Sequence, residues 1–193
     1  MQESDKNEIV VIASSTGGPD ILKKIIPKLD RNLDVPVVII QHMTEGFTKS
    51  MAASLDMICS ITVKEAEDGE IVKPSCIYVA PGGRQIRIIN DISGRAYFKL
   101  VSDESSILKP CADFFLESLV MTDFEKITVT VLTGMGKDTT EGLEKLSRYK
   151  KTYVIAQDCS TCVVGGMPKS IIDAGLADMV LTPDEIPDAI MKR

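Results

Sequence analysis

The sequence predicts a single doubly wound α/β domain over residues 1–193, Rossmann-like, with a mostly parallel sheet flanked by helices and a central antiparallel β-hairpin. Three observations predict it. Near-continuous runs of β-branched residues, such as Ile9-Val10-Val11-Ile12 and Val37-Val38-Ile39-Ile40, suit strands buried on both faces. These runs alternate with amphipathic stretches, and a crossover helix is the usual connection between parallel strands. The length of 193 residues suits one domain.

The elements follow in order along the chain. Residues Glu8 to Ser15 form the first buried strand, and Gly17, Gly18 and Pro19 punctuate it, with Pro19 suited to the first turn of a helix. That helix is expected over Asp20 to Leu29, with Ile21, Leu22, Ile25, Ile26 and Leu29 on one face. A second strand spans Val35 to Gln41 and a helix runs from about Phe47 to Met57. Four strand candidates then come without intervening helices, at 61–63, 76–80, 85–89 and 97–101. Asn90-Asp91-Ile92-Ser93-Gly94 reads as the turn of a hairpin. A helix over 112–121, a buried strand over 126–134 and a helix over 139–148 complete the middle. A strand at 153–156 and helices at 168–174 and 183–191 close the chain. Neither linker nor repeat interrupts the pattern.

Composition removes several function classes. The net charge is −6 and the isoelectric point about 4.9, which is the wrong sign for neutralising nucleic-acid phosphates. No apolar run exceeds five residues, so no segment is expected to span a membrane. The charged start, Met1 to Glu8, lacks the apolar stretch of a signal peptide, and a soluble, cytoplasmic protein is expected. The five cysteines, Cys59, Cys76, Cys111, Cys159 and Cys162, are an odd number and suggest no disulfide framework. Cys159 and Cys162 form a CxxC, but a structural zinc site needs four ligands, and a second pair is absent. The two are read as loop residues, and neither metal nor organic cofactor is expected. There is one histidine, His42, so any chemistry needing an imidazole must use it.

Open parallel sheets bind ligands outside the carboxyl ends of their strands. Four polar, glycine-rich loops fall there: Ser14 to Pro19, Gln41 to Met43, Thr133 to Asp138, and Ala156 to Asp158 leading to Gly165-Gly166-Met167-Pro168. A serine, a histidine and an aspartate thus share one sheet edge. They are the hydroxyl, imidazole and carboxylate of a nucleophilic triad. A serine on a strand-to-helix turn is exposed, and the helix N-terminus nearby suits an oxyanion. Bland readings stand beside this one. Ser14, Ser15 or Thr16 could cap the first helix, Asp138 could cap the helix after it, and His42 could be structural. Phosphate binding is a poorer match, because Val131 and Asp138 occupy the positions where a Walker A loop needs Gly and Ser or Thr.

These motifs resemble the catalytic domain of the chemotaxis receptor methylesterase family, CheB. The family's GASTGGP-type loop is matched by ASSTGGP from Ala13 to Pro19. Its QHMP…FTxSxAxxL segment is matched by QHMTEGFTKSMAASL from Gln41 to Leu55, and an APG turn by Ala80-Pro81-Gly82. LTGMGKDT from Leu132 to Thr139 and AQDCSTCVVGGMPKSII from Ala156 to Ile172 complete the likeness, in the same order along the chain. The resemblance implies a serine hydrolase that removes γ-methyl esters from glutamates of methyl-accepting chemotaxis receptors, often with glutamine deamidase activity. It implies Ser15 as nucleophile, His42 as general base and Asp138 as the orienting carboxylate. Thr16 and Met135 fall where the family lines its oxyanion region.

The chain also departs from the family. Thr139 stands for a glycine, Gln85 for a histidine, and Lys109-Pro110-Cys111-Ala112-Asp113 for RPSVD. Family members usually carry an N-terminal receiver domain, whereas about eight residues precede the first strand here. One catalytic domain without a receiver is expected, with a regulator acting in trans as an option. Two other readings keep the fold: a non-catalytic module docking on receptors or a regulator, and an esterase or amidase with a non-receptor substrate.

Overall fold

In the computed structural model, which describes residues 7–102 and 107–193, alternation along the first strand divides the apolar interior in two. Most of the charged amino terminus lies outside the described residues. Strand β1 (Glu8–Ser14) sends Ile9, Val11 and Ala13 to one face of the sheet and Val10 and Ile12 to the other, all five fully buried. Period-two alternation places successive side chains on opposite faces, so a strand covered on both sides must be apolar throughout. Each buried Ile or Val contributes about 1.5–3 kcal/mol of transfer free energy.

The sheet has seven strands, all parallel, in the order β3 (Thr62–Glu65), β4 (Cys76–Val79), β2 (Val37–Gln41), β1, β7 (Lys126–Val131), β8 (Lys151–Gln157) and β9 (Met179–Leu181). Helices α1 (Gly18–Ile25), α2 (Phe47–Asp56) and α6 (Ile186–Met191) cover one face, with Leu22, Ile25, Leu55 and Ile190 in its core. Helices α3 (Ala112–Leu119), α4 (Thr140–Leu146) and α5 (Gly166–Asp173) cover the other, through Phe115, Leu116, Leu143 and Ile171. The predicted hairpin is present as β5 (Gln85–Asn90) and β6 (Ala96–Val101), paired antiparallel. It forms a separate two-stranded sheet whose Ile86, Ile88 and Phe98 pack under the α3 face.

Several expected bounds shift by two or three residues, among them the strand over 126–134, which ends at Val131, and the helix over 183–191, which begins at Ile186. Three differences have a clear physical reason. The first helix does not run to Leu29: it ends at Ile25 and continues as a 3-10 turn over Ile26–Lys28. Pro27 is the reason, since it has no N–H for an interior helical bond. The second strand begins at Val37 rather than Val35, because Pro36 cannot donate to the ladder. The edge strand β9 was not anticipated; it has three residues, two of them exposed, and so carries no buried apolar run.

Strand order reverses beside β1. The chain passes from β1 outward to β2 on one side, and β7 lies on the other. The crevice above the carboxyl ends of β2, β1 and β7 is the topological switch point of the sheet, where ligands bind in this architecture.

Candidate active site

The predicted residues meet above that crevice. Ser14 pairs with Gln41 at the last rung between β1 and β2, and the His42 N–H donates to the Ser14 carbonyl at 3.1 Å. Ser15 and His42 are therefore neighbours on adjacent strand ends. On the other side, the Ser15 N–H donates to the Thr133 carbonyl at 3.0 Å, which ties the serine turn to the loop after β7. That loop carries Asp138, whose Oδ2 lies 2.6 Å from His42 Nε2. Both side chains are nearly buried, at 10% and 4% exposure. The other ring nitrogen, Nδ1, and the Ser15 hydroxyl have no hydrogen-bond partner among the described residues. The structure thus joins His42 to Asp138 directly and leaves Ser15 beside them with a free, half-buried hydroxyl.

The serine that precedes it is different. Ser14 is fully buried, and its hydroxyl donates to Gln41 Oε1 at 2.7 Å. Gln41 Nε2 in turn donates to the carbonyls of Ser15 (3.0 Å) and His42 (3.2 Å), so one buried amide fixes both strand ends. None of Ser14, Ser15 and Thr16 caps α1: its N-cap is Gly17, without a side-chain cap bond. The cap reading of Asp138 fails too, since Thr139 is the N-cap of α4.

Asp138 instead sits at the start of α3. Its Oδ2 accepts the Ala112 N–H at 2.7 Å, and its Oδ1 accepts the Asp113 N–H at 2.9 Å and the Cys111 thiol at 3.2 Å. Burial alone would raise its pKa. The His42 hydrogen bond and the helix N–H groups outweigh burial and hold the carboxyl well below the usual range, so Asp138 is an anion at neutral pH. Burial and the neighbouring Asp138 push the Cys111 thiol up to about 12, which keeps it a protonated donor.

Several backbone N–H groups in the loops have no acceptor among the described residues, and two of them follow Ser15 and Gly134 directly. Those of Thr16 and Met135, both exposed residues, donate to no acceptor among the described residues. Gly134, just before Met135, allows the loops to close: a Cβ there would stand 2.3 Å from Met167 Sδ and 2.8 Å from Ser15 Cβ. The CxxC loop packs behind it. The Gly134 N–H donates to the Val164 carbonyl at 2.8 Å, and Cys159 and Cys162 are free thiols. Among the described residues, no group of three or more metal-ligating side chains occurs.

Sequence reasoning missed several residues that build this site. Gln85, where the resemblance has histidine, is buried; its amide donates to the Leu108 carbonyl (2.8 Å) and accepts the Cys111 N–H (2.9 Å), anchoring the segment that leads into α3. Gln157 accepts the Thr133 N–H at 2.9 Å. A polar residue ending an apolar strand run was the available signal for Gln41 and Gln157. For Gln85 and Asp113 the sequence held none beyond the likeness of the motif.

Comparison with known proteins fits this geometry. A family model described as CheB methylesterase matches residues 10–190. A curated relative from Thermotoga maritima, named protein-glutamate methylesterase/protein-glutamine glutaminase, is 47% identical over 96% of this chain and 54% of its own length. One of the same name from Bacillus subtilis is 43% identical over 95% of this chain and 51% of its own. The chain spans about half the length of these curated relatives. The crystal structure of the Thermotoga maritima CheB methylesterase catalytic domain matches with a TM-score of 0.89 at 46% identity, covering 95% of this chain and 97% of that one.

Proposed function

The chain belongs to the CheB methylesterase family, and from that premise we propose that it hydrolyses γ-methyl esters of glutamate residues in methyl-accepting chemotaxis receptors. The proposed class is a serine hydrolase, with deamidation of receptor glutamines as a second reaction of the same site. One observation carries the reading: the 2.6 Å contact of His42 with Asp138, on strand-end loops that also present the free hydroxyl of Ser15.

The proposed mechanism starts with the Ser15 hydroxyl attacking the ester carbonyl. His42 takes the hydroxyl proton through Nδ1, the ring nitrogen left free, and Asp138 holds the Nε2–H and stabilises the imidazolium. The free N–H groups of Thr16 and Met135 are the proposed donors to the oxyanion that forms. The imidazolium then protonates the departing methoxide and methanol leaves. Water, deprotonated by the same imidazole, attacks the acyl-serine; the C–O bond to Ser15 then breaks as the imidazolium returns the proton to its Oγ, which yields the glutamate and the free enzyme. No step of this sequence calls for a metal or an organic cofactor.

The proposed partner is the receptor as protein substrate, in the cytoplasm, with no membrane insertion; among the described residues, no helix is long and apolar enough to cross a membrane. The test is methanol release from methylated receptor, wild type beside Ser15→Ala. Release that depends on Ser15 supports the proposal, and an equal rate in the variant overturns it. A fluorophosphonate separates the other readings. Labelling of Ser15 without methanol release indicates a non-receptor ester, and failure to label indicates a binding module.

A further inference from the structure

The helix that supplies N–H groups to Asp138 returns the favour to the helix that Asp138 precedes. Asp113, in the first turn of α3, accepts the Thr139 N–H at 3.0 Å and the Gly142 N–H at 2.6 Å through Oδ1, while its own N–H donates to Asp138 Oδ1 at 2.9 Å. Each of two adjacent helices is thus capped by a carboxylate from the other's sequence. The approach is close enough that a Cβ on Gly142 would lie 2.7 Å from the Asp113 Cα and carbonyl oxygen. Thr139 directly follows Asp138 in the chain, so the Asp113 carboxyl grips the peptide that bears the His42 partner.

We propose that Asp113 is a positioning residue: it fixes Asp138 in the plane and at the distance that His42 needs, without touching substrate. The inference rests on the reading of His42 and Asp138 as base and orienting carboxylate. Rigidity is the physical argument. Among the described residues Asp138 has four partners, and three of them, Cys111, Ala112 and Asp113, belong to the α3 start. Those partners position Asp138 only if α3 stays in register with the β7–α4 loop. Gln85 anchors the α3 side by accepting the Cys111 N–H, and Asp113 locks the loop side.

The charged and titratable groups near Asp113 are Asp138 and Lys137 of the loop after β7, Cys111 of its own turn, and His42 beyond Asp138. Burial and the Asp138 anion both disfavour a second negative charge there and push the Asp113 carboxyl up, whereas Asp138 stays low. The raised Asp113 carboxyl holds its proton more readily than Asp138, which remains the anion beside the imidazole. An Asn side chain is isosteric with the protonated form: its carbonyl can accept the Thr139 and Gly142 N–H groups, but it can never ionise.

The experiment uses two variants and two readouts. Asp113→Ala should lower kcat for methanol release by roughly 10- to 100-fold with KM little changed, the usual cost of a misplaced catalytic group. Asp113→Asn should recover most of that loss. Because His42 is the only histidine, its ring N–H signal in NMR spectra of the whole chain reports on the contact with Asp138. Asp113→Ala should displace the Nε2–H signal, and Asp113→Asn should keep it at its wild-type position. A folded Asp113→Ala with wild-type kcat, or with an undisplaced Nε2–H signal, overturns the proposal. If the alanine variant fails to fold, Asp113→Asn decides: a displaced Nε2–H signal, or a loss of kcat above about tenfold, overturns it. The NMR readout needs no turnover. A wild type that releases no methanol therefore counts against the proposed function, while the Nε2–H signal still decides the role of Asp113.

Discussion

The His42 imidazole meets Asp138 through Nε2, at 2.6 Å, and this orientation leaves Nδ1 as the nitrogen available to a nucleophile. In the familiar serine-protease arrangement the two nitrogens have the opposite assignments. The consequence is a tautomer requirement: the ionised Asp138 selects the Nε2–H form, and only that form has a basic Nδ1.

Asp138→Asn tests this requirement. An amide can present its NH2 to Nε2, favour the Nδ1–H tautomer and remove the base without moving the ring. The expected loss in kcat is on the order of 10⁴-fold, with the fold retained. Methanol release measured beside circular dichroism checks it. A loss smaller than about tenfold would show that Asp138 does not set the tautomer.

Ser14→Ala and Ser15→Ala should separate cleanly. Ser15→Ala removes the proposed nucleophile and should abolish turnover while leaving stability near wild type. Ser14→Ala leaves the buried Gln41 Oε1 without its donor, at a cost of about 1–3 kcal/mol in unfolding free energy. It should retain turnover well above the Ser15 variant. Urea denaturation and the methanol assay on both proteins decide the matter, and equal loss of activity in the two would contradict the assignment of Ser15.

What the sequence made legible follows from where its physics is local. Buried parallel strands need continuous apolar runs, so β1 and β2 were plain to read, and strand ends in an open sheet are where loops meet. Ser15, His42 and Asp138 could be placed together on those grounds. The contacts that refine the site are not local. Asp113 in α3 and Asp138 in the loop before α4 are 25 residues apart, and no periodicity marks their exchange of N–H groups. The N-caps at Gly17 and Thr139 were not legible for a related reason, since backbone torsion rather than a capping side chain defines them. β9 escaped because an exposed edge strand does not need an apolar run.

The carboxyl pair predicts stability changes of opposite sign in two pH windows. Asp138 is depressed in the folded protein, so its contribution is complete above the unfolded carboxylate value, about 3.9, and is lost as pH falls below that toward its folded value. Asp113 is raised to about 7. Between about pH 4 and about pH 7 the folded state keeps a proton that the unfolded chain has released, and stability falls as pH rises. Chemical denaturation of wild type and Asp113→Asn at pH 4 to 7 isolates the second effect. Wild type should lose stability relative to the variant across that window, and a constant difference would refute the raised value.

Thr139 supplies the last prediction. It adopts φ 105° and ψ −25°, in the left-handed half of torsion space where a β-branched residue is strained, and it is fully buried. Its hydroxyl also has no hydrogen-bond partner among the described residues. Glycine, the residue the family resemblance places here, removes both faults. Strain at such a position costs about 1–3 kcal/mol, and a buried unsatisfied hydroxyl about as much. Against these stand the extra backbone entropy of glycine, about 0.5–1 kcal/mol, and a lost methyl of about 0.8 kcal/mol. Taking the middle of each range, Thr139→Gly should therefore stabilise the protein by about 2–3 kcal/mol, seen as a higher urea midpoint at unchanged slope. Thr139→Ala removes the hydroxyl but keeps a Cβ at positive φ, so it should gain less. If alanine matches or exceeds glycine, the backbone is not strained and the unpaired hydroxyl alone accounts for the cost.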